Sequence, residues 1–388
     1  MMRLSCLVVV LLLCFTAPVK PQQPAPADGT PAQKPSAPSG PVLLDRPAGT
    51  QARTPSAITP EGAIHLDVMV SDAAGKAVSG LGPQDFKLLD NNQARRILSF
   101  RSFDGATVKP NPPVQVILVI DTVNLPFTQI ATTRQALATF LRQNNGRLAQ
   151  PVSLMVLTDA GLRIQPRPSV DGDALLGVLN TVKGGIHTIN PAMGSEGDLE
   201  RLQLSLRKMT DIAENEALRP GRKLLIWIGP GWPMLDSKAF MFSDKDQRRY
   251  FDAIVELSTK IREARMVVDS VSLSDSATGA GTRTILYQDF LKGVTSARQA
   301  DTGNLALKVL ALQSGGRILG PHNDLAEQIN LCVSDANAFY TLSFNPPCAE
   351  HANEYHDLKV TVAQSGLTAR TTSGYYDELA APGAGAAH

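Results

Sequence analysis

Between residues 63 and 100 the apolar residues fall on every second position. Ile64, Leu66, Val68 and Val70 alternate, Phe86 and Leu88 form a second pair, and a third apolar stretch runs from Ile97 to Phe100. The turn formers Asp72-Ala73-Ala74-Gly75 and Asp90-Asn91-Asn92 separate them. This pattern predicts short antiparallel strands with one buried face. From Pro113 the period changes. VQVILVI, VSLMVL, KLLIWI and MVVDSV are near-continuous apolar runs, as expected of strands covered on both faces.

Helical stripes lie between these runs. Leu199, Leu202, Leu206, Met209 and Ala213 share a face, with Asp198 as N-cap and Arg219-Pro220-Gly221 as the stop. Phe251, Ile254, Val255, Ser258 and Ile261 form a second stripe, and Leu325, Ile329 and Val333 a third. Strands alternating with helices predict a doubly wound α/β domain with a mainly parallel sheet. After Ala338 alternation returns in AFYTLSF, YHDLKVTV and LTARTTSGYY. The N- and C-terminal β segments are therefore expected to share a small flanking β-sandwich around an inserted α/β domain.

The ends of the chain carry a different signal. One arginine and an apolar run from Leu4 to Ala17 predict a secretory signal peptide within residues 1–27. Residues 28–60 are rich in Pro, Ala, Gln and Gly and poor in large apolar residues, which predicts a disordered linker. The remaining boundaries read as an N-terminal β segment over 61–105, the α/β domain over 113–336, a C-terminal β segment over 337–377 and a flexible tail over 378–388. Export to the periplasm, cell surface or medium follows from the leader. A membrane contact is expected only through the signal segment, if it stays uncleaved.

Composition narrows the partners. Of 388 residues, 37 are Lys or Arg and 36 Asp or Glu, so no basic surface excess marks a nucleic-acid binder. Of the four cysteines, Cys6 and Cys14 lie in the leader, which leaves Cys332 and Cys348. An even pair in an exported chain predicts one disulfide, contributing about 3 kcal/mol by loop-closure entropy. Two buried free thiols are the alternative.

Several phrases, taken in order, resemble one family. They are LDVMVSDAAGKAVSGLGPQDFKLLDNNQARRILSF from Leu66, ILVIDTVN at Ile117 to Asn124, PGRKLLIWIGPGWP at Pro220 to Pro233, LALQSGGRIL at Leu310 to Leu319, AFYTLSFNPP, and SGYY near the end. Over roughly residues 63–376 the chain resembles exported VWFA-related proteins of the acidobacterial type, built on a von Willebrand factor A-like domain. The resemblance implies a metal-ion-dependent adhesion site at the carboxyl end of the sheet, made from Asp-x-Ser-x-Ser, a Thr on a second loop and an Asp after the fourth strand. Mg²⁺ needs such hard oxygen donors, in octahedral array at about 2.1 Å.

Here that set is degenerate. Asp121 matches the first ligand, but the serine positions are Val123 and Leu125, and the last Asp is replaced by Gly229-Pro230-Gly231. Thr188, or Asn190, is the candidate for the Thr position. The Thr158-Asp159 pair mimics the lost motif but follows a different strand. No resident cofactor is therefore expected, with Mg²⁺ on Asp121 and Thr188 as the alternative. Asp121 is otherwise expected to accept backbone N–H groups of its own loop.

The remaining motifs point away from catalysis. His65, His187, His322, His351, His356 and His388 show no zinc-site spacing, and the chain has no G-x-S-x-G, phosphate-loop or dinucleotide fingerprint. The reading is a non-catalytic protein-binding module of adhesion or scaffold type. Asn124, Phe127, Trp232 and Met234 are its candidate contact residues, with packing beneath a loop as the alternative for the aromatic and apolar ones. A metal-assisted adhesin and an envelope enzyme are the competing readings.

Overall fold

The computed structural model describes residues 62–165, 167–181, 194–235, 243–273, 286–320 and 324–377. The chain divides into two units, Met1–Ala57 and Ile58–His388, and every described residue belongs to the second. The leader, the Pro/Ala-rich linker, Thr188, Asn190 and the tail over 378–388 lie outside the described residues.

Four strands open the unit: β1 (Ile64–Ser71), β2 (Phe86–Asp90), β3 (Gln93–Arg95) and β4 (Ser99–Asp104). The α/β part follows with β5 (Gln115–Asp121), α1 (Phe127–Leu141), the single turn α2 (Gln143–Gly146), β6 (Arg147–Thr158), β7 (Gly161–Ile164), β8 (Ser169–Asp171) and α3 (Gly172–Thr181). It continues with α4 (Gly194–Ala217), β9 (Lys223–Ile228), α5 (Asp244–Glu263), β10 (Met266–Val271), α6 (Leu307–Gln313), β11 (Ile318–Leu319) and α7 (Leu325–Ser334). The chain ends in β12 (Ala338–Phe344), β13 (Glu354–Val362), β14 (Thr368–Arg370) and β15 (Gly374–Asp377).

The central sheet runs β11-β10-β9-β5-β6-β7, with β8 also pairing with β6. Its first five strands are parallel, and β7 and β8 turn back antiparallel at the edge. The all-apolar strands are covered on both sides, as the runs predicted. Ile117 and Val119 face Leu202 of α4, Ile254 and Leu257 of α5 and Leu310 of α6. Val116, Leu118 and Ile120 face Leu137 of α1, Leu175 of α3 and Ile329 of α7. Each side chain fully buried in this way contributes about 1.5–3 kcal/mol. The protein is a doubly wound α/β structure with a mainly parallel sheet and flanking antiparallel sheets.

Those flanking sheets interleave the two ends of the unit. One has the order β14-β1-β12-β4 and the other β15-β13-β2-β3. Strand β12 sits between β1 and β4, in the register Leu66↔Leu342 and Leu342↔Phe100. The alternating residues Leu66, Val68, Leu88, Tyr340, Leu342, Phe344, Leu358 and Tyr375 form one core between them.

Three expectations change. Helix α4 starts at Gly194, so Asp198 is inside its first turns and pairs with Arg201 rather than capping. The edge strands β7 and β8 were not legible, because their few residues are exposed or half-exposed and carry no long apolar run. The expected disulfide is absent: Cys332 is a free thiol on the buried face of α7 and Cys348 a free exposed one. Cys332 belongs to the core between α7 and the central sheet, whereas Cys348 lies in the loop from β12 to β13 of the sandwich.

Candidate functional site

The carboxyl end of β5 is the part of the sheet where the chain leaves the core and could meet a ligand. Asp121 ends that strand and is fully buried. Its Oδ1 accepts the backbone N–H of Val123 at 3.2 Å and of Asn124 at 3.0 Å. Its Oδ2 accepts the Asn124 side-chain amide at 2.8 Å and the Trp227 indole N–H at 2.9 Å. Asn124 also donates to Ser205 Oγ on α4 at 3.0 Å. The loop is closed further by Leu125 N–H on the Asp121 carbonyl and by Thr122, whose hydroxyl and N–H both donate to Leu157 O.

Burial raises the pKa of the Asp121 carboxyl, while the bonds from Asn124, Trp227 and Val123 pull it down without cancelling the shift. A carboxylate offers about four lone-pair directions, and here four N–H donors take them. The side chains of Val123 and Leu125 turn instead into the two cores that flank the sheet. These residues do not fit a divalent cation, which needs free carboxylate oxygens and further oxygen donors around it. The expected role of Asp121 as acceptor for its own loop is what the geometry shows.

Gly229-Pro230-Gly231, which stands where the resemblance implies an Asp, makes a close turn over the same carboxylate. A Cβ on Gly229, at φ +155°, would lie 2.9 Å from Asp121 Cβ, and one on Gly231, at φ +80°, would lie 3.0 Å from Leu307 Cβ. The turn folds Trp232 back into the core. Its indole meets that of Trp227 edge to face at 5.4 Å and donates to Leu305 O at 3.0 Å.

The four candidate contact residues therefore part company. Trp232 and Asn124 are buried, so Trp232 takes the alternative of packing beneath a loop, and the expectation that Asn124 faces a partner is corrected. The reason is that each has an N–H that finds its acceptor inside the protein. Met234 is half-buried. Phe127, at the head of α1, is 74% exposed. Thr158 closes the β6–β7 turn by donating to Gly161 O at 2.9 Å. Among the described residues no group of three or more His, Cys, Asp or Glu side chains is placed to hold a metal ion.

Sequence reasoning missed Trp227 and Ser205. The signal was present for the first, because an indole N–H inside the buried run LLIWI must find a partner. Ser205 gives a weaker sign, as a hydroxyl beside the apolar stripe of α4.

The fold and this face define a doubly wound α/β protein whose first carboxyl-end loop is closed by an internal Asp–Asn–Trp clasp. No family model matches the chain, and no curated protein does. Solved structures similar to it include an aerotolerance-related membrane protein from Bacteroides fragilis NCTC 9343, at 10% identity over 57% of this chain and 98% of that one, TM-score 0.31. The SpRpn10 VWA domain matches at 13% identity over 56% of this chain and 94% of that one, TM-score 0.27. The TFIIH p34 N-terminal domain matches at 13% identity over 57% and 96%, TM-score 0.26. Identities this low say nothing of what this chain does.

Proposed function

We propose that this is an exported, non-catalytic, von Willebrand factor A-like protein-binding module. It presents the carboxyl-end loops of its parallel sheet to a protein partner, and its metal site is degenerate. The observation that carries the reading is the placement of Phe127. An aromatic side chain stands in solvent beside a loop that Asp121, Asn124 and Trp227 hold closed. Exposed aromatics on fixed loops are common anchors of protein interfaces.

The covalent layout supports it. Both crossings between sandwich and α/β part, β4 to β5 and α7 to β12, lie at the amino ends of the parallel strands. The face at Asp121 is at the other end. Metal-independent recognition is consistent with the four N–H donors on Asp121, and the leader sequence supports export.

The test is capture from an envelope fraction by immobilised protein in the presence of EDTA. Phe127→Asp should abolish capture of a specific protein, while Leu218→Asp should leave it unchanged; Leu218 is 85% exposed at the far end of α4. Capture that needs Mg²⁺, or that is indifferent to Phe127, would refute the proposal.

A further inference from the structure

The phrase Gln313-Ser314-Gly315-Gly316-Arg317 is not used by the binding face. It forms the turn between α6 and β11, at the amino end of the sheet. Ser314 Oγ donates to Ala311 O at 3.0 Å and accepts the N–H of Val268 on β10 at 2.9 Å. A Cβ on Gly316 would lie 1.9 Å from Val268 O, and one on Gly315 would lie 2.6 Å from the carbonyl carbon of Thr371 in the sandwich. The missing side chains let the turn press on β10 from one side and on the segment after β14 from the other. Ser373 N–H donates to Gln313 O at 2.9 Å, and Arg370 to Gly315 O at 3.1 Å. The turn is the joint between the two parts of the unit.

Two buried carboxylates sit in this joint, and they are not equally served. Asp335, the C-cap of α7, takes Arg317 through two bonds of 3.0 and 2.8 Å and Arg370 through one of 2.7 Å. Arg222 donates to its carbonyl at 2.7 Å. Asp269, in the middle of β10, is fully buried; it receives the backbone N–H of Arg317 on Oδ1, at 2.6 Å, and the Cys332 thiol beside it also hydrogen-bonds to the carboxyl. Its Oδ2 is buried and, among the described residues, takes no N–H or O–H donor, so a weakly donating thiol is the one side chain that serves this carboxyl. The charged and titratable groups facing it are Arg317 from the turn, Arg370 from β14, Arg222 before β9, and Cys332 and Asp335 from α7.

We propose that the joint is proton-linked at Asp269: its carboxyl takes up a proton in mildly acidic surroundings, and the Ser314–Arg317 turn then holds the sandwich more firmly to the α/β part. With both side-chain forks committed to Asp335, an ionised Asp269 is a desolvated charge with no dedicated cation, repelled by its neighbour. Burial, then Asp335, pushes its pKa up to about 6. The folded protein thus binds one more proton than the unfolded chain between the ordinary carboxyl value and about 6. The stabilisation is present in acid and is lost as pH rises through that value.

The two free thiols give a readout at Asp269 itself, on the α7 side of the joint. Cys332 is buried beside Asp269, and Cys348 is exposed on the sandwich. Maleimide labelling of the full chain, read peptide by peptide, gives the Cys332 rate relative to Cys348 and so measures how often the end of α7 that carries Asp335 opens from β10. That ratio should rise several-fold between about pH 5.5 and about pH 7.5 in the wild type and stay low and flat in Asp269→Asn. Asp269→Leu, neutral and without need of a donor, is a second variant with the same expectation. A flat ratio in the wild type, or a slope that survives in either folded variant, overturns the proposal. The measurement involves no partner, so it can fail without touching the proposed binding function.

Discussion

At the scale of single residues, the clasp at Asp121 shows what an indole N–H can do in a buried strand. Trp227→Phe keeps the ring and removes the donor, leaving Asp121 Oδ2 one bond short. The expected cost is about 1–3 kcal/mol, read as a lower urea midpoint with an unchanged slope. The acceptor role of Asp121 was legible from the sequence because its partners Val123 and Asn124 are two and three residues away. Its bond to Trp227 spans 106 residues and was not. The fate of Trp232 stayed open between partner contact and packing beneath a loop for a related reason: the backbone freedom of Gly229 and Gly231 was legible, but not the direction in which it would send the chain. Lys223 carries a separate prediction. Burial lowers its pKa to about 8, so the folded protein holds fewer protons than the unfolded chain between that value and the ordinary 10.5. Stability should therefore climb as pH rises through this window, and Lys223→Met, followed by urea unfolding at both ends of it, should remove the climb.

Among the elements, the long ones were readable and the short ones were not. The runs that became β5, β6, β9 and β10 are covered on both faces and announce themselves by apolar content alone. Strands β7 and β8 have three or four residues each and depend on pairing with β6 rather than on any pattern of their own. Helix α5 illustrates a start written locally: Ser243 Oγ accepts the Asp246 N–H at 3.3 Å, and Asp246 Oδ2 accepts the Ser243 N–H at 3.0 Å. Ser243→Ala should cost about 1 kcal/mol, seen as a lower melting temperature without loss of helix signal at room temperature. The turn after α6 is the opposite case. Its two glycines are visible in the sequence, but that they admit Val268 on one side and Thr371 on the other follows only from the packed sheets.

For the molecule as a whole, the ionic joint couples the sandwich to the α/β part. Asp67 on β1 pairs with Arg265 before β10, at 3.1 and 2.5 Å, and Arg222 stacks over Phe339 of β12 at 4.8 Å. Asp335→Ala would strand Arg317 and Arg370 together without their shared carboxylate. A loss of about 3–5 kcal/mol is expected, measured by chemical denaturation. The alternation of the end segments foretold a shared sandwich, yet not that β12 would lie between β1 and β4. That placement has a consequence for synthesis. As the chain emerges from the ribosome or a translocation pore, β1 and β4 appear first, and each shows bare backbone to its surroundings until more than two hundred further residues have followed. An early stop before Ala338 should therefore yield aggregates rather than a smaller folded protein.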